Sequence, residues 1–222
     1  MKIVAVVPMK LNNQRLPQKN TKAFTNGQPL CTYILNTLLS INEIEKVYVY
    51  CSNPEIANYL PKEVNLIIRD LSLDQDSTSM NEVLLSFTQK VSSDIYVMAH
   101  TTAPFISKES IEKGIRAVLS GKYDSSFAAK KIQEFLWENG KPMNYQLNHI
   151  PRTQDLPEIY AETSGFYIYI KEVIKHLGRR IGNHPFVVEV NEIEAVDIDE
   201  PVDFEIADAL FNYFKIIKES CQ

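Results

Sequence analysis

The chain has 222 residues, 45% hydrophobic, 10% aromatic and 23% charged. That balance suits one globular domain and excludes a disordered chain, which lacks the apolar surface to offset its entropy. Seven glycines and 11 prolines without a repeat exclude collagen-like and low-complexity architectures. A net charge of -5 gives no global basic field for nucleic acid, and no apolar run reaches the roughly 18 residues of a membrane span. The opening M-K-I-V-A-V-V-P is too short for a signal peptide. Cys31, Cys51 and Cys221, odd in number and scattered, therefore read as reduced thiols of a cytoplasmic protein.

Residues 2–8 form a continuous apolar run, as expected of a strand buried on both faces. Leu30, Ile34, Leu35, Leu38 and Leu39 then repeat at helical spacing. K-V-Y-V-Y-C (46–51) predicts a strand, a short helix follows Pro54, and N-L-I-I-R (65–69) predicts another strand. Ser79 and Glu82 have capping-box spacing and predict a helix running to about 91. D-I-Y-V-M-A (94–99) is the fourth strand, 107–119 a helix and S-S-F-A-A (125–129) the fifth strand. Strand alternating with helix implies an α/β fold, three layers with a mostly parallel central sheet. The alternation breaks over 132–157, an insertion that reads as a hairpin excursion, a dimerisation arm or a substrate lid. It resumes with G-F-Y-I-Y-I (165–170), a helix to 177, F-V-V-E-V (186–190) and a last helix from Pro201 to about 217.

Charge is segregated along this order. Residues 9–22 carry Lys10, Arg15, Lys19 and Lys22 and no acid; residues 189–208 carry nine acids and no Lys or Arg. The basic stretch follows the first strand, so it lies at the carboxyl edge of the sheet, where open α/β sheets bind ligands. Asp197 and Asp199 alternate along an extended segment and so face one side. Cations opposite two hard carboxylates suit a triphosphate with Mg²⁺, although a solvated basic loop and acids at a helix start have the same composition. There is no G-x-G-x-x-G and no G-x-x-x-x-G-K-[ST], which argues against a dinucleotide-binding Rossmann motif and a P-loop.

P-M-K-L-N-N-Q-R-L-P-Q-K-N (8–20) resembles the P-A-R-x-x-S-K-R-L-P-x-K-N signature of the acylneuraminate cytidylyltransferase family. R-D-L-S-L-D-Q-D-S-T-S (69–79), H-T-T-A-P (100–104), R-T-Q-D-L-P (152–157) and V-D-I-D-E-P-V-D (196–203) resemble further segments of that family, in the same order. The resemblance implies a Rossmann-like nucleotidyltransferase fold with an inserted dimerisation flap. It also implies transfer of CMP from CTP to an acidic, sialate-like sugar by a homodimer using Mg²⁺. By matching position, Lys10, Asn13, Lys19 and Asn20 would contact the triphosphate with Arg15 nearby, and Arg69 and Ser79 would fall in the nucleotide site. Asp197 and Asp199 would hold the metal, with Lys10, Lys19 and Asp199 carrying the chemistry. His100, Thr101, Arg152, Gln154, Tyr160 and Glu162 would form the acceptor site.

The sequence departs from the family pattern in places. Lys10 replaces an Arg, which loses the bidentate fork; Gln14 replaces a Lys, and His100 a Gln. Glu162 falls where bacterial sialate enzymes carry Arg. Two other readings therefore stand beside the first. One is a cytidylyltransferase for another acceptor, such as a 3-deoxy-octulosonate or a phosphorylated or phosphonate small molecule. The other is a homologue that binds nucleotide without turnover.

Overall fold

A computed structural model describes residues 1–220, so Cys221 lies outside the described residues. The apolar run at the N-terminus forms β1 (Ile3–Met9), every residue of which is buried. Ala5, Val7 and Met9 join one core and Val4 and Val6 another, so both sheet faces are covered. The chain continues through α1 (Leu30–Leu39), β2 (Lys46–Cys51), a 3₁₀ turn (Pro54–Tyr59), β3 (Asn65–Ile68), α2 (Met80–Lys90), β4 (Ile95–Ala99), α3 (Lys108–Leu119) and β5 (Ser125–Ile132). Next come the two-residue strands β6 (Trp137–Glu138) and β7 (Lys141–Pro142), then β8 (Ile159–Ile170), a π-helical turn (Val173–Leu177), β9 (Pro185–Glu189) and α4 (Pro201–Ser220). α2 starts where the capping box predicts: Ser79 Oγ accepts from Glu82 N while Glu82 accepts from Ser79 N.

The seven-stranded sheet has the order β3-β2-β1-β4-β8-β5-β9. β1–β2, β1–β4, β2–β3 and β5–β9 pair in parallel, whereas β8 runs antiparallel to both β4 and β5. Side chains of α1 and α3 pack on one face, through residues such as Ile34, Leu38, Ile111 and Ile115. α2 and the π turn cover the other, through Val83, Leu84, Phe87, Val173 and Ile174.

Three details differ from the sequence reading. β8 begins at Ile159 rather than at 165, and β5 runs on to Ile132 rather than ending at 129. The added residues pair with one another, Lys130–Ile132 against Ile159–Ala161, past a register shift after Phe127. Their mixed, half-exposed side chains show no alternation, so this pairing partner is visible only in three dimensions. The helix expected up to 177 is mostly a single π turn, ended by Gly178 at φ 64. The insertion is a hairpin: β6 and β7 pair across Asn139 and Gly140, both at positive φ, the backbone that a tight reversal demands.

A third apolar cluster, Leu16, Phe24, Leu30, Ile198, Phe204 and Ala207, lies under the first turns of α4. Phe24 meets Phe204 edge-on at 4.9 Å between ring centroids. This cluster clamps the basic loop after β1 against the acidic segment before α4. Among the described residues no helix is long and apolar enough to cross a membrane. Cys31 and Cys51 are buried free thiols, and burial pushes Cys31 up to about 12.

Candidate active site

Three clefts adjoin along the carboxyl edge of the sheet. The first, about 370 Å³, is lined by Lys10, Asn13, Gln14, Arg15, Leu16, Lys19 and Asp76. A second, about 260 Å³, shares Lys10 and Asp76 with it and adds Arg69, Asp74, Thr78 and Met80. The third, about 410 Å³, shares Met80 with the second and adds Ser79, Asn81, Glu162, Arg179, Arg180 and Ile181.

Leu16, buried in the third apolar cluster, holds the basic loop so that its polar side chains face the first cleft. Lys19 is buried and donates from Nζ to the Ile198 carbonyl oxygen at 2.8 Å, with Asp199 Oδ1 at 3.2 Å. Arg15 reaches the same Asp199 oxygen at 2.7 Å and Glu200 at 3.7 Å. Lys10 Nζ lies 3.3 Å from Asp76 Oδ1, and Gln14 Nε2 donates to Asp76 Oδ2 at 2.9 Å. Asn20 donates to the Lys10 carbonyl at 2.7 Å and accepts from Thr101 Oγ1 at 2.5 Å, which ties the loop to the end of β4. Asn20 and Thr101 are thus buried struts of the site, while Lys10, Asn13, Arg15 and Lys19 line the cleft.

Ile198 is fully buried, and Asp197 and Asp199 on either side of it are half-buried. Asp197 Oδ1 is buried with no hydrogen-bond partner, a costly arrangement that a cation would relieve. No group of three or more His, Cys, Asp or Glu able to hold a metal occurs among the described residues. The two carboxylates fit Mg²⁺ nonetheless, because that ion is commonly bound by one or two carboxylates together with substrate phosphates and water.

In the second cleft, Arg69 does not offer a free fork. It is buried, and its Nε and an amino nitrogen both donate to Asp74 Oδ1, at 3.0 and 2.6 Å, while Ser52 donates to Asp74 Oδ2 at 2.6 Å. Ser79 caps α2 and also lines the third cleft.

His100 follows β4, its ring 6.5 Å from that of Tyr167. Burial, together with the charges of Arg180 and Lys19, pulls its pKa down to about 4, against a weaker contribution from Asp199, so the imidazole is neutral at pH 7. Glu162 Oε1 accepts from Tyr167 OH at 2.5 Å and from Arg180 at 3.3 Å. Arg180 lies 3.9 Å over the Tyr167 ring. Burial pushes the Tyr167 phenol up, and its hydrogen bond to Glu162 adds to this.

Of the six expected acceptor residues only Glu162 lines one of these clefts; His100, Thr101, Arg152, Gln154 and Tyr160 do not. Arg152 pairs with Asp155 at 2.7 Å beside exposed Gln154, and Tyr160 donates to Glu189 at 3.2 Å. Asp76, Asn81 and Arg180 line these clefts without having been singled out in the sequence. Asp76 lies in the family-like segment 69–79 without having been given a role there, whereas Asn81 and Arg180 belong to no recognised motif and only the fold brings them to this edge.

The family model described as Cytidylyltransferase matches residues 4–221. N-acylneuraminate cytidylyltransferase A of Danio rerio is 26% identical over 225 residues; the match covers 96% of this chain and 52% of that protein, so the chain spans about half its length. Pseudaminic acid cytidylyltransferase of Campylobacter jejuni is 23% identical, with 95% of this chain and 97% of that protein covered. A solved CMP:2-keto-3-deoxy-manno-octonic acid synthetase complexed with CTP superposes with a TM-score of 0.74 at 17% identity, covering 96% and 99% of the two chains. That likeness bears out the expected Rossmann-like α/β fold.

Proposed function

Because this chain belongs to the cytidylyltransferase family, we propose that it transfers CMP from CTP to a hydroxyl of an acidic sugar, releasing pyrophosphate. The observation that carries the reading is the cationic cleft whose Arg15 and Lys19 meet Asp199, which shares Lys10 and Asp76 with a second cleft that in turn shares Met80 with a third. Triphosphate, base and acceptor would occupy the three in that order. The relatives are named for different sugar acids, which supports an acidic sugar as acceptor and leaves sialate-like and octulosonate-like acids as the candidates.

In this reading the acceptor hydroxyl attacks the α-phosphorus in line and gives up its proton to solvent, its oxygen–phosphorus bond forms, and the bridging bond to the β-phosphate breaks. Lys10, Arg15 and Lys19 bind the phosphates and offset charge moving onto the leaving pyrophosphate. Asp197 and Asp199 would hold Mg²⁺, which when bound supplies a Lewis acid at the phosphate oxygens. Neutral His100 can accept or donate a hydrogen bond to the acceptor without adding charge. The insertion would serve as a dimer contact.

Pyrophosphate release, measured with each of the four nucleoside triphosphates against a panel of sialate-like and octulosonate-like acids, tests the proposal. Release with CTP and at least one acid is expected. CTP binding without turnover on any acceptor would favour the non-catalytic reading instead.

A further inference from the structure

We propose that Arg180 takes the carboxylate of the acceptor and so selects acidic sugars, with Glu162 as its positioning residue. The inference rests on the cytidylyltransferase reading and assigns a residue to its acceptor cleft. Arg180 lines the cleft of about 410 Å³ that abuts the proposed base cleft at Met80.

Its guanidinium is held from several sides. The Tyr167 ring lies beneath it at 3.9 Å, and one amino nitrogen donates to Glu162 Oε1, which Tyr167 OH holds in turn. The loop that carries it is pinned at both ends. Gly178, at φ 64, turns the chain out of the π turn. Beyond Arg180, Gly182 N donates to Ser125 Oγ at 2.8 Å, and Asn183 N and His184 N donate to Asp124 Oδ2 at 2.7 and 3.1 Å. A side chain at 182 would collide with the Asp124 carboxylate, so glycine is what allows this close anchoring.

A guanidinium has five N–H groups, and its planar edge matches a carboxylate through two parallel hydrogen bonds. The Arg180 side chain is only 25% exposed, so a bound anion would meet a partly desolvated, already oriented cation. Asn81 lines the same cleft, and its Oδ1 is buried without a partner. A neutral sugar leaves Arg180 on Glu162 and gains nothing from it.

The test is steady-state kinetics of wild type, R180A, R180Q and E162Q with the best sugar acid and with its carboxamide, alongside CTP affinity by calorimetry. R180A is expected to raise KM for the acid about 30-fold, in line with a charge-assisted pair, with CTP affinity within about twofold of wild type. The preference for acid over carboxamide should collapse in R180A and R180Q, while E162Q keeps the preference at a higher KM. If R180A also loses CTP affinity, the same preference measured in R180Q decides. An active wild type whose preference survives in R180Q overturns the role of Arg180 alone. A wild type inactive on every sugar acid overturns the functional reading, and this inference with it.

Discussion

Lys19 donates from Nζ to the Ile198 carbonyl oxygen at 2.8 Å and lies 3.2 Å from Asp199 Oδ1, which joins the basic loop to the acidic segment at the far end of the chain. A surface lysine would have only phosphate to lose; this one is buried and holds a backbone carbonyl. Lys19→Ala should therefore cut kcat/KM for CTP about tenfold or more and also cost about 1–3 kcal/mol of stability through the unsatisfied carbonyl. Steady-state kinetics and thermal denaturation read the two effects separately. An unchanged kcat/KM for CTP would remove Lys19 from the phosphate site.

Asp199 is shared by Lys19 and Arg15, and Asp197 has an unpartnered oxygen two residues away. Asp199→Asn keeps the shape and loses the charge. The expected drop in kcat is about 10²-fold or more, in line with losing several kcal/mol of metal-mediated stabilisation, with a raised Mg²⁺ requirement. Turnover within about threefold of wild type at limiting Mg²⁺ would exclude Asp199 as a ligand.

Arg69 and Asp74 form a buried ion pair, each side chain less than a tenth exposed. Asp74→Ala leaves a buried guanidinium uncompensated, so a loss of about 3–5 kcal/mol is expected in denaturant unfolding. Arg69→Met, which removes the cation but keeps much of the volume, should cost less if Asp74 can turn to solvent. Equal costs would show that packing, rather than charge, sets the effect.

Much of this was legible in the sequence because β1 and α2 announce themselves locally, one through an unbroken apolar run and the other through Ser79 and Glu82. Lys10, Arg15 and Lys19, which line the first cleft, were legible through charge segregation and through motif order. The antiparallel course of β8 was not, because residues 159–164 carry no alternation and owe their extension to β5. Arg180 was hidden for a different reason. It stands in a loop without a motif, and its meaning comes from Tyr167 beneath it and Glu162 beside it, eighteen residues earlier in the chain. Arg69 resembled a nucleotide contact by position, whereas Asp74, five residues on, already occupies its fork.

His100 should make the fold acid-sensitive. Its pKa falls to about 4 through burial and the Arg180 and Lys19 charges, against about 6.5 for an unperturbed histidine. A depressed folded pKa means that the unfolded chain binds the proton first. The stabilisation is therefore fully present above about pH 6.5 and is lost as pH falls towards 4. In thermal melts across pH 4 to 8, His100→Gln should lose less stability than wild type over that acid window and run parallel to it above pH 7. Parallel curves throughout would show that the imidazole does not titrate differently on folding.

The insertion should form a homodimer contact. Tyr145 packs on Phe135 at 4.7 Å and on Trp137 at 6.2 Å between centroids, so the hairpin has a small aromatic centre of its own. Its outer side remains apolar: Trp137 is 54% exposed, Met143 55%, Leu147 64% and Ile150 63%. Such a group of exposed side chains on one excursion marks a contact surface, and a two-fold pair is the commonest way to cover one. Arg152 and Gln154 stand on the same excursion and line none of the three clefts of their own chain; a second copy could carry them to the acceptor cleft. Light scattering at micromolar concentration should give twice the 25.4 kDa of the chain. Trp137→Glu combined with Ile150→Glu should shift the population to monomer and raise KM for the acceptor more than for CTP. A wild-type species at the monomer mass would sink the dimer and leave the hairpin as a local excursion.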